Sequence, residues 1–360
     1  MIDRSFDIAL WNHWNAITFW FLIAVGLVSA LTAFGDRKLK INEMSSFLGC
    51  MLILIILLFL FGGMPIPWGT YGDRQNYFET FIRLSKGLSS DYGNDVGFVF
   101  ITRLLSTYLP VTYVFYAIAA IYLTNYYIAI RRFVAQKSYW LLVAVVLSNG
   151  FTSYATNTIR AGLAASFIVL ALSFYPSKIK MLICLLIAVS MHKSMALPAA
   201  VIALGYFFDN TRLYALLWVI SIPVSFLAGD AFSSLFSEMA EDDHLNNYLN
   251  VNPESTHYNV GFRIDFIIYS LVPMAVGYYY IFRKNFRSTF YRLLYNSYLL
   301  SNIFWILVIR ANFSDRFAYL SWFLIPFLLV YPLLKGKMSL KENIWLGTIF
   351  VGETVFKLLF

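Results

Sequence analysis

Apolar stretches close to the length of a membrane-crossing helix recur from one end of this chain to the other, and they fix the solvent in which it folds. Ala16–Phe34 and Ser46–Gly63 approach the ~20 residues a helix needs to cross about 30 Å of hydrocarbon. Further apolar runs are read near 111–130, 139–157, 160–175, 213–229, 262–282, 292–310, 317–334 and 344–360, with an interrupted stretch at 179–208. Only 13% of the 360 residues are charged, against 60% hydrophobic. A soluble domain carries about 25% charged residues, so a water-facing surface cannot be built here. The expectation is an all-α polytopic transmembrane bundle of about 11–12 membrane segments, forming a single integral membrane domain over 1–360. The first run follows a polar start and lacks a small-residue cleavage site, so it reads as a retained helix rather than a signal peptide.

The stretch 179–208 decides the topology. His192-Lys193 and Pro198 interrupt it; a charge at mid-bilayer costs roughly 2.5–3.5 kcal/mol, and an interior proline removes a helix hydrogen bond. It is therefore read as two short helices, 179–191 and 194–208, with His192-Lys193-Ser194 at the tip of a hairpin. Loop charges support that choice, because Lys and Arg accumulate on the cytoplasmic side. With twelve crossings and the N-terminus outside, sixteen of the 27 Lys and Arg fall in inner loops, with four of the 19 Asp and Glu. These include Arg37, Lys38 and Lys40, then Arg131, Arg132 and Lys137, and later Arg283, Lys284, Arg287 and Arg292. The net charge of +8 thus reports topology and not nucleic-acid binding.

Two polar segments, about 64–110 and 230–261, then lie outside. In the first, Tyr77, Phe81, Leu84 and Leu88 recur at helical spacing opposite Arg74, Glu79, Arg83 and Lys86, which predicts an amphipathic interfacial helix. Asp95–Leu109, closed by Pro110, predicts a second. The other segment is acidic (Glu238, Glu241, Asp242, Asp243, Glu254) and reads as a lid. No internal repeat is present, so nothing points to a repeat-built transporter.

Against the usual bias, the outer face also holds Arg74, Arg83, Lys86, Arg103, Arg160, Lys193, Arg263, Arg310 and Arg316. Ionisable groups at helix ends within a bundle mark substrate paths, although snorkelling or local pairing, Arg263 with Asp265 or Arg316 with Asp315, is the plainer alternative for any one of them. Guanidinium forks match phosphate oxygens, so several such groups would suit a lipid diphosphate. Trp68, Tyr71, Tyr77 and Tyr92 would supply sugar-stacking or interfacial surfaces. His192 is the one histidine in the apolar core region, where a neutral imidazole can take a proton from an attacking hydroxyl. Gly162 and Ser166, four apart on one helix face, would admit a neighbouring helix and fix Arg160. Cys50 and Cys184 sit in apolar runs as packing residues. No Walker loop, dinucleotide fingerprint, zinc pair or nucleophile elbow occurs, and Glu241-Asp242-Asp243 reads as a solvated acidic patch; a mechanism with no cofactor or metal is the default.

Six short motifs follow one another along the chain: Tyr71-Gly72-Asp73 with Tyr77; Asn94-Asp95-Val96-Gly97-Phe98; Arg160-Ala161-Gly162-Leu163-Ala164; Met191-His192-Lys193-Ser194; Gly261-Phe262-Arg263-Ile264-Asp265; and Arg316-Phe317-Ala318-Tyr319. In that order, over about residues 70–335, they resemble the EpsG-like and Wzy-type polysaccharide polymerases of bacterial cell envelopes. The resemblance implies transfer of a growing glycan from undecaprenyl diphosphate onto an incoming undecaprenyl-diphosphate-linked repeat unit. It places that reaction on the periplasmic face of the cytoplasmic membrane, with membrane lipid, a chain-length regulator and a flippase as partners and no nucleic acid. On this reading Arg160, Arg263, Arg310 and Arg316, with Lys193, stabilise the departing diphosphate. His192 is the first choice of base, Asp73 and Asp95 being alternatives that instead position sugars. Arg74, Tyr77, Asp265 and Tyr319 complete the expected substrate contacts. An O-antigen ligase is the nearest rival; a lipid-glycan flippase and a membrane acyltransferase rank lower.

Overall fold

The computed structural model describes residues 4–35, 42–68, 73–90, 92–239, 262–310, 314–336 and 338–359. The inner-loop charges Arg37, Lys38, Lys40 and Lys337, the Tyr71-Gly72 pair, Gly261 and the acidic segment from Glu241 through Glu254 lie outside the described residues. Every regular element among the described residues is helical, so the all-α polytopic bundle expected from the apolar pattern is what the chain forms. Among the described residues, six helical stretches are long and apolar enough to cross a membrane: Ile8–Gly35, Glu43–Gly62, Val111–Leu147, Thr211–Gly229, Ile264–Arg283 and Arg316–Lys335. The other expected spans are shorter or more polar helices. By internal packing the chain divides into two compact units, one of residues 1–196 and 330–360, the other of residues 197–329.

In the first unit, α1 (Arg4–Gly35), α2 (Glu43–Gly62) and α5 (Val111–Val134) are long helices, and α16 (Leu340–Leu359) packs along α1. Between them lies α6 (Ser138–Leu147), whose residues from Trp140 to Leu147 are all buried. At 1.5 Å per residue its ten residues cover about 15 Å, half the hydrocarbon thickness. The continuous span expected at 139–157 is therefore broken. Ser148 turns its hydroxyl back to the Val145 carbonyl (2.7 Å), and Gly150 takes a φ of 85°, a left-handed conformation that favours glycine. A short helix α7 (Phe151–Thr156) and the turn at Asn157-Thr158 then lead into α8 (Ile159–Ser173). Such broken backbone is tolerated at membrane depth only where protein buries it, and Phe151, Tyr154 and Ala155 are buried. The chain continues through α9 (Lys178–Met191), which packs against α8.

The two expected amphipathic helices exist, with opposite characters. Helix α3 (Asp73–Ser85) buries Tyr77, Phe81 and Leu84 as its spacing predicts, but it also buries Thr80 and Arg74, the latter expected on the opposite polar face; Leu88 lies beyond the helix and is exposed. Helix α4 (Val96–Tyr108) buries Phe98, Thr102 and Ser106 and turns Val96, Phe100, Leu104 and Tyr108 outward.

In the second unit run α10 (Ala196–Phe207), which begins at the unit's edge, α11 (Thr211–Met239), α12 (Ile264–Tyr278), α13 (Thr289–Leu307), α14 (Ser314–Trp322) and the start of α15 (Ile325–Lys335). Helix α11 carries Pro223 and is kinked at Ala228. Helix α13 packs on α11 and α14. A buried polar chain ties this unit together: the Trp218 indole donates to Asn302 (2.7 Å), Asn302 donates to Ser321 (2.9 Å), and the Trp322 indole donates to Ser270 (2.9 Å). Where hydrocarbon offers no hydrophobic drive between helices, such bonds and close packing hold them.

Candidate active site

The first unit gathers side chains from three helix ends around one carboxylate. Asp95 is 4% exposed. Its Oδ2 accepts from Arg160 Nη1 at 2.5 Å and from His192 Nδ1 at 3.0 Å, and its Oδ1 accepts the Lys193 backbone N–H at 3.0 Å. Arg160 also lies over the Tyr92 ring, 4.0 Å from its centroid, and its Nε reaches the Tyr77 hydroxyl at 3.4 Å. Burial alone would push the Asp95 carboxyl up. The hydrogen bond from His192, the Arg160 charge and the Lys193 amide outweigh it and hold the group below its ordinary value. The carboxylate is thus ionised at neutral pH.

That ionisation fixes the imidazole. A carboxylate only accepts, so the proton of neutral His192 resides on Nδ1, and Nε2 keeps its lone pair. With 26% of its side chain exposed, His192 is open enough to meet a substrate; Arg160 is similar at 24%. Lys193 is exposed beside them.

Local sequence explains how the three ends meet. Asp95 occupies the N-cap of α4 but its side chain does not cap that helix; it turns instead to Arg160, His192 and Lys193. Helix α9 stops at Met191, His192 is extended, and Lys193–Met195 form a single 3-10 turn before Ala196, so the break expected at His192-Lys193 is present. Gly97 lets α4 press onto α9, for a Cβ there would lie 2.3 Å from the Ser190 hydroxyl and 3.0 Å from the Ser190 backbone. Gly162 lets α8 fold back on α7, where a Cβ would lie 2.1 Å from the Tyr154 carbonyl oxygen. Ser166 accepts from Asn125 of α5 at 3.0 Å. The small-residue face of α8 thus meets α7 at Gly162 and α5 at Ser166, both within about two turns of Arg160.

The remaining expected site residues divide by unit. Asp73 opens α3, its amide bound to Asn157 at 3.0 Å, and its charge bears on the Tyr77 and Tyr92 phenols. Arg74 is 2% exposed and donates to the carbonyls of Phe61 (3.2 Å), Gly62 (3.2 Å) and Met64 (3.1 Å), so it closes the end of α2. In the second unit Arg263 makes a two-pronged pair with Asp265 (2.9 and 2.6 Å) and stacks on Phe266. Arg310 donates to the Phe226 carbonyl (2.9 Å), and Tyr319, three residues after Arg316, packs its ring on Trp322. Asp315, the alternative partner of Arg316, has a side chain outside the described residues. Cys50 and Cys184 are buried free thiols.

One feature escaped the sequence: the stack of Tyr92 on Arg160 joins residues 68 apart with no local signal, and the convergence of Arg160, His192 and Lys193 on Asp95 likewise needs the structure. Among the described residues no group of three His, Cys, Asp or Glu could hold a metal ion.

No curated protein and no solved structure matches the chain significantly. The sequence pattern of the EpsG family matches residues 50–357, and this span contains every residue of the Asp95 cluster. This match, over most of the chain, places the protein in the EpsG family, a family of multi-pass membrane proteins associated with polysaccharide polymerisation.

Proposed function

We propose that this protein is a polysaccharide polymerase that moves a growing glycan from undecaprenyl diphosphate onto the terminal sugar of an undecaprenyl-diphosphate-linked repeat unit, at the periplasmic face of the bacterial cytoplasmic membrane. The observation that carries the reading is the Asp95 cluster, which puts an oriented imidazole beside a guanidinium. The acceptor hydroxyl attacks the anomeric carbon of the donor, the bond from that carbon to the diphosphate oxygen breaks, and the hydroxyl proton passes to His192 Nε2. Undecaprenyl diphosphate leaves with the bonding pair.

Developing charge on the leaving diphosphate is the largest demand of this step, and pre-oriented donors meet it best. Arg160 has N–H groups left after its bond to Asp95, Lys193 adds a second cation, and the N-terminal end of α8, from which Arg160 projects, adds its partial positive charge. Asp95 is then a positioning residue that sets the imidazole tautomer, and Asp73 stands where it can contact sugar through the Tyr77–Tyr92 side. Arg263, Arg310 and Arg316 remain proposed contacts to lipid-linked diphosphate, each testable alone.

The test is reconstitution with a lipid-linked repeat unit and analysis of product length. Wild-type protein is expected to give a ladder of repeat units; His192→Ala is expected to insert normally and give none. A normal ladder from His192→Ala removes it as the base. Transfer of glycan to a lipid A-core acceptor, with no ladder from repeat units alone, would make the protein a ligase.

A further inference from the structure

Helix α4 is amphipathic the wrong way round for a helix in water. Its buried face carries Thr102 and Ser106 beside Phe98, and Thr102 satisfies its hydroxyl on the Phe98 carbonyl at 2.6 Å. Its outward face carries Val96, Phe100, Leu104 and Tyr108, one turn apart, with Phe100 71% and Tyr108 78% exposed. Twelve residues at 1.5 Å make this stripe about 18 Å long. A contiguous exposed apolar strip of that length marks a surface covered by something apolar. Neighbouring α3, also amphipathic, buries its apolar face together with Arg74 and turns Glu79 outward, so the outward apolar stripe belongs to α4 and not to both helices.

Three observations select the occupant. First, the stripe starts one residue after Asp95, so whatever lies on α4 has one end at the cluster of Arg160 and His192. Secondly, the end nearest the cluster is concave: Gly93, Val96, Val99, Phe100 and Arg103 line a shallow groove of about 250 Å³. That is below the range of a pocket that encloses a whole small ligand, and suits a short length of chain. Thirdly, the one charged lining residue is Arg103. Side chains tilt toward the helix N-terminus, so its guanidinium leans back along the stripe toward Gly93 and the cluster. An apolar strip ending in a cation complements an amphiphile with a long hydrocarbon tail and an anionic head.

We propose that α4 is the docking rail for the polyprenyl chain of the lipid-linked substrate, with the first isoprene units in the Gly93–Arg103 groove, the tail along Phe100, Leu104 and Tyr108, and Arg103 as a further phosphate contact. This rests on the polymerase reading for the identity of the lipid. The rail gives that lipid a reason to arrive head-first at Arg160, and makes chain length a determinant of specificity.

The experiment separates the two claims by measuring binding without turnover. Full-length protein in nanodiscs is photolabelled with a polyprenyl diphosphate carrying a diazirine in its first isoprene units, and the labelled peptide is sequenced. Label on 96–104 that unlabelled polyprenyl diphosphate removes and a hundredfold excess of phosphatidylglycerol does not is the expected result. Label removed equally by both, or label elsewhere, overturns the rail. In a second arm, Phe100→Ser with Leu104→Ser is expected to cut the preference for a long-chain over a three-isoprene lipid-linked substrate at least tenfold; an unchanged preference overturns the proposal. Specific labelling by a protein that makes no polymer would sink the polymerase reading and leave the docking site standing.

Discussion

Asp95→Asn keeps the volume of the side chain and removes its charge, and its cost can be worked bond by bond. An amide offers one acceptor oxygen and one donor nitrogen where the carboxylate offered two acceptors. If the oxygen takes the place of Oδ2, it keeps Arg160 and His192, but the NH2 faces the Lys193 N–H, a donor against a donor. If the amide is reversed, both Arg160 and His192 lose their acceptor. The first arrangement is the cheaper. It leaves one buried N–H unsatisfied, about 1–3 kcal/mol, and exchanges a charge-assisted bond to Arg160 for a neutral one, about 1 kcal/mol more. The stranded N–H weighs on the stability of the folded protein, whereas the roughly 1 kcal/mol lost from the charge-assisted bond, where it is felt in the transition state, slows the chemical step about fivefold. Initial rates of polymer formation at saturating lipid-linked substrate measure it, with thermal unfolding of the same preparations as the control for folding. A variant that folds like wild type and keeps more than half its kcat would refute the account of Asp95 as the group that orients His192 and Arg160.

Arg160→Lys keeps the charge but loses the fork that spans Asp95 and Tyr77, and product length is expected to collapse with a rate loss of roughly tenfold to a hundredfold, about 1.5–3 kcal/mol; unchanged ladders on a gel would contradict it. Arg74→Met should act on folding and not on substrate, because it strands three carbonyls at the end of α2: unfolding in a thermal ramp should come earlier by the equivalent of about 2–4 kcal/mol, with KM within twofold of wild type. A raised KM in a fully stable Arg74→Met protein would return it to the substrate site. Gly97→Ala should cost activity through overpacking against Ser190, worth about 1–3 kcal/mol, and Ser190→Gly in the same chain should restore part of it; absence of any rescue would mean that this contact does not set the α4–α9 distance. The sign of the pH effect follows from the depressed Asp95 carboxyl: its contribution to stability is complete above the unfolded value near 3.9 and is lost as pH falls through the lower folded value. The stability gap between wild type and Asp95→Asn should therefore be present at neutral pH and close only in acid below the ordinary carboxylate range; a gap as large at about pH 2 as at neutral pH would contradict the assignment.

Fold class was legible because hydrocarbon thickness acts directly on sequence length: α1, α2 and α11 stand out as apolar runs in the order of residues alone. The break in 139–157 was not legible. Val143 to Leu147 is apolar, and Phe151, Tyr154 and Ala155 follow Ser148-Asn149-Gly150 closely enough that hydropathy averages over the residues that bend the chain. Periodicity found α3 and α4 but not their difference, since a stripe of apolar residues reads alike whether it is buried in protein or turned to lipid. In the site, Arg160 was nameable as a cation on the outer face, His192 as the one histidine of the apolar core and Asp95 from the family resemblance, yet their mutual distances were not, for the close approaches at Gly97 and Gly162 show only in what a Cβ would strike. Arg74 had the same sequence signature as Arg160. Only the carbonyls around it distinguish a buried helix-end clamp from an open cation.

The cost accepted at Asp95 points to function more firmly than any single distance. An aspartate at an N-cap ordinarily accepts from the first free N–H groups of its own helix, and losing that bond costs about 1 kcal/mol. Here the helix goes without, and the carboxylate serves Arg160, His192 and the Lys193 amide, which come from segments 65 to 98 residues away. A sequence selected for stability alone would gain by turning the side chain back or by replacing a buried charge, because buried ion pairs are often no better than apolar packing. The exchange makes sense if the geometry of the imidazole and the guanidinium matters more than the helix end. The two glycines point the same way: each lowers helix propensity by about 0.8–1.0 kcal/mol relative to alanine, and each permits an approach that places one of those groups. Local rules are broken together at α4, α8 and α9, and every breach converges on the same carboxylate.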